Sequence, residues 1–122
     1  MTPRIIIEAV HPAEQRYDTL GDWFTDDQGN LVIRVSNSDG DVMAPQAFLV
    51  ALHELVEVAL CRSRGISEAA VDAFDMAYEG DGEPGDDPAA PYRREHGFAP
   101  IVELMTAREL GLHDYGTVTF SD

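Results

Sequence analysis

The chain has no lysine: its eight basic residues are all arginine, against 23 acidic residues, for a net charge of −15. A surface of that sign repels polyanions, which argues against direct contact with nucleic acid or an anionic membrane. Cysteine is almost missing as well. The single Cys61 permits no internal disulfide, which agrees with a reducing compartment. No apolar run reaches membrane-spanning length, and the opening "MTPRIIIEAVHP" carries no signal-peptide pattern. These absences lead us to expect a soluble cytoplasmic protein. The lack of lysine beside plentiful Ala, Gly, Asp and Arg also suits a GC-rich genome.

What is present is a globular composition. A hydrophobic fraction of 44% over 122 residues suits one core, and residues 1–122 read as a single domain. "RIIIEAV", residues 4–10, has a β-branched run that predicts a strand ended by Pro12. "DWFTDDQGNLVIRVS", residues 22–36, predicts two strands about a turn in which Gly29 takes positive φ. A long apolar helix follows, opening at Pro45 and ending near Gly65. Ser67 is placed to cap a second helix, with Ile66 and Val71 spaced as a hydrophobic staple. Asp72, Asp75 and Glu79 fall on one side of that helix, which reads as a solvated face. Residues 80–91, "GDGEPGDDPAAP", read as a polar loop without EF-hand or phosphate-loop spacing. A last helical region stops at Gly111, with Pro100 marking a kink or break. The class is α+β: a small antiparallel sheet of about three strands, then three helices.

The apolar helix contains the anomaly. "AFLVALHELVEVALC", residues 47–61, sets His53, Glu54 and Glu57 among Ala, Val, Leu and Phe. Burying an unpaired carboxylate is costly, so a partner must be supplied. His53 and Glu57 are one helical turn apart and project to the same side, while Glu54 is rotated by about 100°. This is the disposition by which a helix offers two metal ligands with a general-base glutamate beside them, Glu57 standing where a second histidine is usual. The competing reading is a core histidine and carboxylate satisfied by each other or by Arg16 or Arg34. Cys61, one turn beyond Glu57, reads as a small core residue rather than a soft ligand.

A third ligand must come from elsewhere. His11 follows a strand and His113 lies beyond the last helix, so His96 is favoured, giving the two-His, one-Glu set that catalytic zinc uses. Glu95 is its rival, because on an unbroken helix it lies closer to the stripe of Phe98, Val102 and Met105 expected to face the core. Zinc is the expected metal, although another first-row divalent ion suits these donors.

Taken together, "RYDTLGDW", "HELVEVALC" and "PGDDPAAPYRREHGFA" resemble a group of short, uncharacterised tailed-phage proteins, across most of the chain. At the level of architecture, strands leading into a helix with His53, Glu54 and Glu57 also resemble minimal zincin-like metallopeptidases. That resemblance implies a metal-dependent hydrolase acting on a protein or peptide. His53, Glu57 and His96 would hold the ion, Glu54 would act as general base, and Tyr92 or Arg93 is the candidate oxyanion partner. "LVIRVS" is the candidate edge strand for an extended peptide. The alternative is a non-catalytic acidic interaction protein that binds a partner, inhibits a host protein or assists virion assembly, with a structural metal or none.

Overall fold

The computed structural model describes residues 2–115. The element order is β1 (Ile5–Val10), β2 (Gly21–Thr25), β3 (Leu31–Ser36), α1 (Pro45–Ser63), α2 (Glu68–Ala77) and α3 (Arg93–Glu109). This is the α+β arrangement expected, a three-stranded sheet followed by three helices. The chain divides into two compact units, Met1–Leu55 and Val56–Asp122, and the division falls inside α1.

In the first unit the sheet is mixed rather than wholly antiparallel, with strand order β1-β3-β2. The hairpin is local. Asp26 accepts from the backbone amides of Gln28 and Asn30, both at 2.9 Å, and Gly29 takes φ 82°. That turn makes β2 and β3 antiparallel neighbours, Gly21 opposite Val35 and Thr25 opposite Leu31. Strand β1 could add to either free edge of the hairpin. It docks on β3, parallel, where Glu8 stands opposite Arg34 and accepts from its Nε at 2.7 Å. Asn30 reinforces this choice by accepting from the Arg4 amide at 2.9 Å.

Strand β3 is consequently the centre of the sheet, not the edge predicted for peptide pairing. Its apolar run Leu31, Val32, Ile33 and Val35 is buried, as a strand flanked on both sides should be. Arg16 grips Asp22 through two contacts, at 2.7 and 3.0 Å, and lies 4.6 Å over the Phe24 ring. It is therefore engaged within its own unit, as Arg34 is with Glu8. Leu49, Val50 and Ala51 of α1 are buried in this unit. At the start of β2 the sheet approaches α1 closely. A Cβ on Gly21 would stand 2.8 Å from Val50 Cγ1 and 3.0 Å from the Glu54 side chain.

In the second unit α1 ends in a Schellman turn: Gly65 has φ 73°, and the Ile66 amide donates to Cys61 O at 2.9 Å. Ser67 caps α2 by accepting from the Ala70 amide at 3.1 Å. The same Schellman pattern closes α3, with Gly111 at φ 79° and the Leu112 amide on Ala107 O at 2.9 Å. Both glycine stops were legible in the sequence.

Two features of α3 depart from the reading of its sequence. The helix does not break at Pro100 and continues to Glu109, with a face buried on either side of the proline. That face is Glu95, His96, Ala99, Glu103 and Ala107. Phe98 and Met105, expected to face the core, are 47% and 65% exposed. The small alanines permit close packing, and the buried carboxylates find partners, so the polar face turns inward. Asp75 of α2 likewise departs from the solvated face assigned to it, being buried with Tyr92 donating to it. Among the described residues, no helix is long and apolar enough to cross a membrane.

The Gly21 contact gives a direct test of the first unit. Gly21→Ala is expected to cost about 1–3 kcal/mol, because the added carbon would stand 2.8 Å from Val50 Cγ1, a branched side chain stiff about χ1. A lower urea midpoint with an unchanged slope would register it, and an unshifted midpoint would refute the close approach.

Candidate metal centre

The two residues singled out by helical spacing and the histidine favoured as their partner come together. His53, Glu57 and His96 each offer one ligand atom, and these atoms lie within 4.8 Å of one another. All three side chains are buried. His53 and Glu57 owe their relation to α1, which continues as one helix through residues 53–57. Glu57 and His96 meet inside the second unit, with His96 Nδ1 2.8 Å from Glu57 Oε2.

His96 has a second carboxylate that sequence reading missed. Its Nε2 lies 3.2 Å from Asp86 Oδ1, on a short 3-10 turn, Pro84–Asp86. Residues 80–91 are therefore not simply a polar loop. Pro84, Gly85 and Ala90 are buried, and Gly85 is the seat of the His96 ring, since a Cβ there would stand 2.4 Å from His96 Cγ. Irregular loops have no periodicity, so neither role was readable beforehand.

The pairing has a chemical consequence. A neutral imidazole carries one N–H, so it can donate to only one of two carboxylates. The other contact brings a ring lone pair against carboxylate lone pairs. It requires either a second proton, on the ring or on the facing carboxyl, or a cation shared by the facing atoms. His53, a turn away from Glu57 on α1, offers the third ligand atom of the group.

The remaining candidates are also accounted for. Glu54 is buried, with Oε2 3.8 Å from His53 Nε2, adjacent to the ligand group but outside it. Glu95, the rival third ligand, is turned elsewhere and accepts from Arg64 Nη1 at 2.8 Å. Burial pushes its carboxyl up, yet the Arg64 hydrogen bond, a backbone hydrogen bond and the charges of Arg64 and Arg94 hold it below its ordinary value. Tyr92 is buried edge-on to His96, ring centres 6.1 Å apart, and its hydroxyl donates to Asp75. Arg93 is exposed at the first position of α3. Cys61 is fully buried, and burial followed by the charge of Glu57 pushes its thiol up to about 12, so it stays a protonated core residue. His11 caps the Pro12–Glu14 turn, accepting from the Ala13 amide at 3.0 Å, and His113 is exposed.

The donor set suits a divalent ion. Two imidazoles and one carboxylate are a ligand set of catalytic zinc, three protein donors leaving one position open. Glu57 and Glu95 thus take different partners, a histidine and an arginine.

Removing the arginine should expose this difference. Because the Glu95 value is lowered on folding, its contribution is present above the ordinary carboxylate range and is lost as pH falls through the folded value. Arg64→Ala is therefore expected to destabilise by about 1–3 kcal/mol near neutrality, with the gap to wild type closing in acid. Urea midpoints across pH would show it, and a gap constant with pH would contradict it. No family model, curated protein or solved structure matches the chain.

Proposed function

We propose that this protein binds one divalent metal ion, zinc first among them, through His53, Glu57 and His96, and uses it to hydrolyse an amide in a protein or peptide. The observation that carries the reading is the convergence of these three buried donors within 4.8 Å. Three donors rather than four among the described residues support a catalytic over a purely structural site, because a structural zinc is normally closed by four protein ligands. A bound ion would supply Lewis acidity, lowering the pKa of a water in the open position towards about 7.

The chain's own groups carry the remaining chemistry. Glu54, beside His53, receives the proton of the attacking water and passes it to the leaving amine. Glu57 would neutralise part of a bound ion's charge, and His96 is steadied by its contacts with Gly85 and Asp86. With the Tyr92 hydroxyl donated to Asp75, the exposed Arg93 is the better candidate of the two for the oxyanion. The resemblance to tailed-phage proteins supports a phage-encoded origin, with action in the host cytoplasm.

A second reading draws on a different surface. Phe98, Ile101 and Met105 form an exposed apolar stripe on α3, in a chain of net charge −15. Such a stripe suits a non-catalytic protein that docks a partner.

Metal analysis of protein purified without a histidine tag separates these readings. The expectation is about one zinc per chain, lost in His53→Ala, Glu57→Ala and His96→Ala. A folded wild type free of metal, even after zinc is offered, would sink the site. Catalysis is tested by Glu54→Gln, expected to keep zinc and lose hydrolysis of a peptide library by about 10²–10⁴-fold. Equal turnover in the variant would remove Glu54 as the base.

A further inference from the structure

Asp86 lies on the opposite edge of His96 from the ligand cluster, and its position prescribes a role. We infer that Asp86 is a positioning residue: it accepts the Nε2 proton of His96 and so turns the Nδ1 lone pair towards Glu57. This rests on the metal-site reading above and assigns the loop that carries Asp86 to the same centre.

Four observations converge on it. Nε2 is 3.2 Å from Asp86 Oδ1 while Nδ1 is 2.8 Å from Glu57 Oε2, so each ring nitrogen faces one carboxylate. The two nitrogens of an imidazole point apart, so Asp86 cannot bind the same ion as Nδ1 and Glu57. It can only hold the ring from behind, as carboxylates commonly do for metal-binding histidines. The ring is pressed onto Gly85, where a Cβ would come within 2.6 Å of Nδ1 and 2.8 Å of Cδ2. The turn itself is closed by the Asp86 amide on Glu83 O at 3.1 Å and the Asp87 amide on Pro84 O at 3.0 Å.

The Asp86 side chain is 63% exposed although the ring it meets is buried. It therefore reaches from the surface to an interior ligand, so a change confined to the loop is felt by the metal. Neutral amides at this position would lose the preference for a proton on Nε2, because an amide can donate as well as accept.

Two measurements on the full chain test this. Long-range proton–nitrogen spectra of 15N-labelled, metal-free protein are expected to show His96 protonated on Nε2 alone, with that preference lost in Asp86→Asn. Competition with a chromophoric chelator is expected to show zinc affinity lowered 10–100-fold in Asp86→Asn, at unchanged stoichiometry and circular dichroism, with Asp86→Glu recovering part of the loss. A wild-type ring protonated on Nδ1, or on both nitrogens, overturns the inference. So does an Asp86→Asn protein whose spectra and zinc affinity match wild type. If wild type takes up no zinc, the metal reading falls by itself, and the spectra alone still decide what Asp86 does to the ring.

Discussion

The imidazole of His96 between the carboxylates of Glu57 and Asp86 is the interaction on which the second unit depends. Glu57 is buried and must be satisfied within the protein, Asp86 is 63% exposed and also meets water, and a neutral ring has a single proton to give. Meeting that demand fixes several things together: the rotation of α3 that brings His96 inward, the path of residues 84–86 and the need for a glycine at 85. It also defines the side of the ring on which a cation would replace a proton, the side that His53 and Glu57 share through α1.

The same constraint recurs through that unit. Its interior holds Glu57, Asp75, Glu95 and Glu103 with few large apolar side chains around them. Glu95 is held by Arg64, Asp75 by the Tyr92 hydroxyl and Glu103 by the Tyr115 hydroxyl, whose own acidity is weakened by burial and by that carboxylate. An interior of paired polar groups is high-stakes, since each pair is worth little when made but costly when broken. Among the described residues, the Glu57–His96 pair is joined by a further metal-ligating side chain, His53, which separates a candidate site from structural pairing of similar appearance. The first unit is built the other way, around Ile33, Val35 and Leu49, with ion pairs such as Glu8–Arg34 choosing strand neighbours.

How far the sequence could be read followed from the range of the physics at each point. The turn at Gly29, the helix ends at Gly65 and Gly111, the cap at Ser67 and the shared face of His53 and Glu57 all come from interactions a few residues long. Each was legible. Choosing His96 over Glu95 was legible only as a preference, because phase along α3 was judged from apolar residues that turned out to be exposed. The inward face was chosen by partners, Arg64 for Glu95 and Tyr115 for Glu103, and a partner 31 residues distant leaves no mark in local periodicity.

By itself, then, the sequence determined the element types, their ends, the α+β order and the shared helical face of His53 and Glu57, because backbone propensity and helical spacing act within a turn or two. Tertiary structure decided which edge of the hairpin received β1, which face of α3 turned inward, and that Asp86 and Gly85 belong beside His96. Those outcomes depend on which distant groups satisfy a buried charge or fill a gap. Neither question has an answer until the chain has folded and brought the groups together.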